Sequence, residues 1–322
     1  MRDRKENVLV TGGAGFIGRW VVDYLLNELP EKKLVVIDNL YNGSLRNIEE
    51  FRGHERFVEF VEGDIADAKL VGGLFEKYDF KTLFHLAAHI NVQESIDDPA
   101  KVFQADVAGT FELLETARAH NCRFIFTSSC MVYDICTKES GIAESDPVRP
   151  ASPYAAYKLS GEHMALGHYY AYGLPVVILR PFNTYGPFQK STGEGGVVSI
   201  FCEKELKKET LNIYGDGKQT RDLLFVTDCA GFIVEAGYHP DCEGRVINAG
   251  YGSDVTINEL AAMISSDPAR IRHVKHIHPQ SEIMKLKCDS TLAGSLLNWS
   301  PRTGLEEGIR RTYQWIENRN LK

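Results

Sequence analysis

The chain contains no Cys-x-x-Cys pair. Its seven cysteines (Cys122, Cys130, Cys136, Cys202, Cys229, Cys242 and Cys288) are odd in number and scattered, which argues against a disulfide framework or a thiolate zinc site. No Lys/Arg run stands against the net charge of −8, so nucleic acid and anionic membranes are not expected partners. No apolar run approaches the roughly 18 residues of a membrane span, and Met1 to Glu6 lead into a β-type stretch without an apolar leader. A cytoplasmic location is the expectation. Internal repeats and low-complexity tracts are missing too. What is there is 322 residues, 43% apolar and 25% charged, the composition of a compact enzyme-sized protein.

Asn7 to Thr11 reads as a strand, and the glycine turn Gly12-Gly13-Ala14-Gly15-Phe16-Ile17-Gly18 joins it to a helical pattern from Trp20. Strand, glycine turn and helix form the context of a dinucleotide fingerprint. Gly12, Gly15 and Gly18 allow a tight turn and close backbone approach to a pyrophosphate, with the anion at the helix start beside Phe16 and Ile17. The next strand, Leu34 to Ile37, ends at Asp38, twenty positions after Gly18, with Asn39 behind it. An acid there accepts the adenosine ribose hydroxyls and repels a 2′-phosphate, so NAD is favoured over NADP.

Strands at 57–61, 82–86 and 123–127 then alternate with helices at 68–77 and about 98–119. This predicts an α/β fold, a doubly wound parallel sheet of the Rossmann type. Asp64 and Ile65 follow the third strand, near where an adenine would lie. Ala87 and Ala88 follow the fourth and leave room for a cofactor, while His89 and Asn91 are candidates to face the crevice.

Ser152 and Pro153 predict a helix start, so Tyr154 and Lys158 fall at i and i+4 on one face, roughly 6 Å apart along the axis. At an effective dielectric near 20 the ammonium is worth about 2 to 3 kcal/mol, or ~2 units off a phenol pKa of ~10. That would make Tyr154 a base for an alcohol. Further on, 176–179 is a buried strand, Ser191 to Val198 is a small-residue substrate loop that includes Val197, and a closing helix spans 305–318. Tyr214 precedes Gly215-Asp216-Gly217. Arg221 is a candidate phosphate clamp, with a surface ion pair to Asp222 as the alternative.

The glycine fingerprint, Asp38, Gly63-Asp64-Ile65, His85-Leu86-Ala87-Ala88, Thr127-Ser128-Ser129, Ser152-Pro153-Tyr154 to Lys158, Arg180 to Pro187 and Gly215-Asp216-Gly217 with Arg221-Asp222 fall in one order. Along nearly its whole length the chain resembles the extended short-chain dehydrogenase/reductase family of nucleotide-sugar epimerases and dehydratases. The resemblance implies bound NAD held in part by Thr127 and Pro181, and a UDP-sugar substrate held by Ser129, Asn183, Arg221 and His278. Tyr154 would take the proton of the sugar's 4-hydroxyl, with Lys158 on the nicotinamide ribose. It also implies a dinucleotide-binding domain at 1–178 with a returning segment near 222–250, a smaller nucleotide-sugar domain at 179–322, and a homodimer formed through helices near 98–119 and 153–172.

Cys130 and Met131 stand where 4,6-dehydratases of the family carry an Asp-Glu pair. A thioether has no proton to give and essentially no basicity, so dehydration is disfavoured and 4-epimerisation is the leading expectation. A UDP-N-acetylhexosamine is the expected substrate class, on the resemblance alone. Cys130 keeps open chemistry at carbon 5 or a 5,6-double bond, with His89 or Lys138 assisting, since a thiol exchanges protons near neutral pH. An NAD-binding sensor is the non-enzyme alternative. Asp106 replaces the family's usual Asn, and His278-Pro279 an Arg-Pro. His273, His276 and His278 lack the context of a metal site, so no metal is expected.

Overall fold

The computed structural model describes residues 5–192, 196–276 and 283–320. Strand β1 (Glu6–Thr11) leads through α1 (Phe16–Glu28) to β2 (Lys32–Asp38), β3 (Phe57–Glu62), α2 (Ala68–Tyr78) and β4 (Phe80–His85). Helical turns follow: α3 (Val92–Asp97), α4 (Pro99–Phe103), one π-helical turn (Gln104–Ala108) and α5 (Gly109–Ala119). Then come β5 (Arg123–Thr127), α6 (Pro153–Tyr172), β6 (Val176–Pro181), β7 (Asn183–Tyr185) and α7 (Val197–Leu206). The chain continues with β8 (Leu211–Tyr214), β9 (Thr220–Phe225), α8 (Val226–Tyr238), β10 (Val246–Ala249), β11 (Asp254–Thr256) and α9 (Ile257–Ile264). It closes with β12 (Ile271–Val274), β13 (Lys285–Leu286), α10 (Thr291–Leu297) and α11 (Leu305–Asn320).

The main sheet has seven strands in the order β10-β6-β5-β4-β1-β2-β3, and the pairs from β3 to β6 are parallel. This is the expected doubly wound α/β fold. Val8, Leu9, Val10, Leu34, Val36 and Ile37 are fully buried, as continuous apolar strands must be when both sheet faces are covered. The strand order reverses between β1 and β4, and the crevice beyond their carboxyl ends is where such sheets take ligands.

By contact the chain forms two compact units: residues 1–132, 152–180 and 230–247, and residues 133–151, 181–229 and 248–322. The second has its own core, in which Phe201, Leu211, Leu223, Phe225, Leu260 and Ile316 meet around a small sheet of β7, β9, β11 and β13. Asn248 ties residues 133–151 into it: its side chain takes the Tyr133 hydroxyl and donates to Ile142 O, and its N–H reaches Glu144.

The helix expected over 98–119 is interrupted. Asp98 accepts the Lys101 N–H at 3.1 Å with Pro99 at the first helical position, so a new helix starts there, and the π-turn widens the path before α5. Asn91 is used as a cap, accepting the Glu94 N–H at 2.7 Å.

Candidate active site

The glycine turn lies between β1 and α1. Gly12 has φ +70°, and a Cβ on it would stand 2.7 Å from Ala87 N; one on Gly18 would stand 2.0 Å from Gly12 O. Chain packing alone demands those two glycines. Gly15 is different: within 4 Å its Cβ would meet only Gly12 O, at 3.1 Å, so its bare side opens a cradle at the start of α1. Phe16 and Ile17 form the first turn above it, where unpaired N–H groups favour an anion. Asp38 ends β2, nearly buried, with Oδ2 on the Ala14 N–H and Oδ1 on the Leu40 N–H. Burial raises its pKa against those N–H donors. Asn39 and Asp64 are exposed neighbours, Nδ2 to Oδ2 3.4 Å, and Ile65 is buried under Gly109. These residues fit a dinucleotide.

A buried polar chain joins this cradle to the π-turn. The Ala87 N–H donates to Thr11 Oγ1, Thr11 to His85 Nδ1 at 2.8 Å, His85 Nε2 to Thr110 Oγ1 at 2.9 Å, and Thr110 to Asp106 O at 2.5 Å. Each hydroxyl accepts once and donates once, which fixes the proton on His85 Nε2. Burial and then the Lys158 charge push His85 down to about 3, so the ring is neutral. Ala88 is half-buried beyond this link.

Ser152 caps α6 by accepting the Ala155 N–H at 3.2 Å with Pro153 at the first position. A Cβ on Gly161 would press to 2.5 Å from the Phe126 ring, so only glycine lets α6 lie this close to β5. Tyr154 and Lys158 consequently sit beside the end of β5. Lys158 Nζ donates to Thr127 O at 3.0 Å, the Thr127 hydroxyl is buried without a partner, and Ser129 lies close enough to the Tyr154 hydroxyl to lower its pKa. Cys130 opens a short 3-10 turn, buried and within electrostatic reach of Tyr154. Arg180 makes a bidentate pair with Glu162, which also takes the Ser128 hydroxyl, and this locks α6 to β5 and β6.

The expected acidification of Tyr154 is corrected here. Burial, the dominant effect, pushes its pKa well above the ordinary phenol value; the Ser129 hydrogen bond lowers it, and Asp106 and Cys130 raise it further. Tyr154 and Lys158 do share one helix at the expected spacing, but Tyr154 is buried and little water is left to solvate a phenolate. Burial also lowers Lys158, which Asp106 and Glu162 hold up.

His89 is buried beyond β4, stacked on Tyr41 with centroids 4.3 Å apart; its N–H donates to Asp106 Oδ1 at 2.7 Å, and its Nδ1 is 3.5 Å from Glu94. Sequence reasoning noted Asp106 only as a departure; its partner His89 follows a recognisable strand end.

The remaining candidates belong to the second unit. Pro181 is buried at the end of β6, and Asn183 opens β7 with its buried Oδ1 unpartnered. Val197 opens α7, while residues 193–195 of the expected loop and His278 lie outside the described residues. Tyr214 is exposed beside His276. Arg221 does not pair with Asp222: its Nη1 donates to Thr220 O and Ile283 O, while Asp222 is fully buried on backbone N–H groups. Lys138 is an exposed partner of Asp146.

The family model for GDP-mannose 4,6 dehydratase matches residues 9–312. The chain belongs to the NAD-binding nucleotide-sugar epimerases and dehydratases of the extended short-chain dehydrogenase/reductase family. It is 37% identical to the UDP-glucose 4-epimerase of Mycolicibacterium smegmatis, over 97% of this chain and 99% of that one. The X-ray structure of Pal from Bacillus thuringiensis is similar at TM-score 0.95 and 53% identity, covering 98% of this chain and all of that one. So is dTDP-glucose 4,6-dehydratase from Bacillus anthracis in complex with NAD, at 0.87 and 29%, with 98% and 100% covered. The cofactor is NAD. No helix among the described residues is long and apolar enough to cross a membrane.

Proposed function

We propose that this chain oxidises carbon 4 of a UDP-hexose or UDP-N-acetylhexosamine and reduces it again from the opposite face, a 4-epimerisation through a 4-keto sugar. One observation carries it: Ser129, close enough to lower the pKa of the Tyr154 hydroxyl, follows the end of β5, where Lys158 Nζ is held on Thr127 O, and Cys130 and Met131 come next, where a dehydrating enzyme needs an acid and a base. Bound NAD would supply a cationic hydride acceptor at carbon 4 and return the hydride later. Ser129 and Tyr154 hold the 4-oxygen, Tyr154 removes its proton, and Lys158 stabilises the resulting phenolate. Gly12, Gly15, Gly18 and Asp38 hold the dinucleotide. Asn183 and Arg221 are the candidate ligands of the sugar diphosphate.

A second reading has one specific support, the buried Cys130 thiol within reach of Tyr154. A 4-ketone acidifies the carbon 5 proton, and a thiol can exchange it. Turnover of UDP-glucose and UDP-N-acetylglucosamine in deuterated water, read by NMR, separates the readings. Unlabelled carbon 5 in a 4-inverted product supports epimerisation, with Cys130→Ser nearly silent. Deuterium at carbon 5, with Cys130→Ser reducing turnover severely, replaces it by the second reading. No turnover on a broad UDP-sugar panel with Tyr154 intact would instead indicate an NAD-binding sensor.

A homodimer through α4, α5 and α6 is part of the proposal. Phe103, Phe111 and Tyr172 are exposed there, an apolar aromatic surface that a second copy would cover. Sedimentation at micromolar concentration tests it, and a monomer there refutes it.

A further inference from the structure

The π-turn buries a carboxyl group that the reading above leaves unused. Asp106 is 4% exposed, its Oδ1 takes the His89 N–H, and its Oδ2 is buried with no hydrogen-bond partner. The turn itself is pinned through the backbone carbonyl of Asp106 to Thr110, so the side chain is not needed for that link. A buried carboxylate holding one N–H is costly unless an opposite charge compensates it. The π-turn packs against α6, and the cation on that helix facing Asp106 is Lys158. Lys158 is itself buried, with an ammonium that donates to Thr127 O.

We propose that Asp106 is a positioning residue for the Tyr154–Lys158 pair: its carboxylate is the counter-charge that keeps Lys158 an ammonium and restrains ionisation of Tyr154. The inference rests on the reading of Tyr154 as the base and adds a control to it. The groups facing Asp106 are Lys158 and Tyr154 from α6, His89 from the end of β4 and Glu94 from α3. Burial raises the Asp106 pKa, Lys158 and His89 lower it, and Glu94 raises it. Glu162 also faces Lys158 but is already committed to Arg180. His85 is neutral, and Cys130 faces Tyr154.

Two measurements on the NAD-loaded protein test this. In the first, Asp side chains carry a carboxyl 13C label and are titrated by NMR, the Asp106 signal being the one absent from Asp106→Asn. Its midpoint should rise by about one unit or more in Lys158→Met, where the compensating ammonium is gone; an unmoved midpoint overturns the proposal. In the second, the isosteric Asp106→Asn is followed in turnover across pH. Removing a nearby negative charge favours both the phenolate and the neutral amine, so both limbs of the pH–rate profile should move about one unit lower. A uniform loss of rate with both limbs in place makes Asp106 merely structural and overturns the proposal. If the wild type turns over no UDP-sugar, the epimerase reading fails, while the NMR midpoint still decides the coupling of Asp106 to Lys158.

Discussion

Asp106 in the first unit and Asp222 in the second are both buried carboxyl groups, and they are held in opposite ways. Asp222 accepts the N–H groups of Tyr251 at 2.6 Å, Gly252 at 2.9 Å and Cys288 at 3.0 Å, so it stitches β9 to two distant stretches of its own unit. Asp106 accepts one N–H and leaves an oxygen bare. Burial drives both pKa values up, Asp222 to about 6, because even three backbone donors do not replace water there. The contrast separates a carboxylate whose loss should unfold its neighbourhood from one whose loss should alter proton transfer beside Tyr154.

The largest expected effect is on the catalytic side. Tyr154→Phe should lower turnover by about 10²- to 10⁴-fold, the span of a lost general base, while NAD stays bound and the melting temperature stays put. Undiminished turnover, measured on the substrate that the wild type accepts, would remove Tyr154 from the mechanism. Next comes the stitching carboxylate. Asp222→Ala strands the buried Cys288 N–H, at about 1 to 3 kcal/mol, and the partly buried N–H groups of Tyr251 and Gly252 at less, so urea unfolding should show a loss of at least ~2 kcal/mol. In the same assay Asp106→Asn should change stability by less than about 1 kcal/mol; equal losses at the two positions would erase the contrast.

The smallest effect is one of pH. The folded-state pKa of Asp222, about 6, lies above the ordinary unfolded value of ~3.9, so the native state binds that proton more tightly. Its contribution to stability is therefore full below pH ~4 and lost as pH rises through about 6, on the order of 2 to 3 kcal/mol. Urea midpoints measured across that window should fall in the wild type relative to Asp222→Asn. A constant difference between the two would show that Asp222 does not titrate there.

Much of the fold was legible because its signals are local. Continuous apolar strands, the glycine turn, Ser152-Pro153 before α6 and the apolar periodicity of α11 each declare themselves within a few residues. The placement of Tyr154 and Lys158 one turn apart on α6 was legible for the same reason. Dielectric is not local: the burial that makes Tyr154 a reluctant acid comes from packing beyond its own helix turn, and four residues of helix cannot reveal it. The π-turn itself left no pattern, because one extra residue per turn is set by packing on α6. Nor did residues 133–151 carry any sign of their attachment to Asn248, more than a hundred positions away. Arg221 next to Asp222 suggested a pair, yet neighbours on a strand point to opposite faces, and here one is sealed inside while the other reaches carbonyls.

The reluctance of the Tyr154 hydroxyl has a thermodynamic corollary. If the positive charge of the bound dinucleotide's nicotinamide ring is what makes the phenol a usable base, capture of the dinucleotide and release of a proton are two faces of a single equilibrium. An unloaded molecule would then hold its reactive oxygen in reserve, inert toward stray electrophiles until its partner arrives.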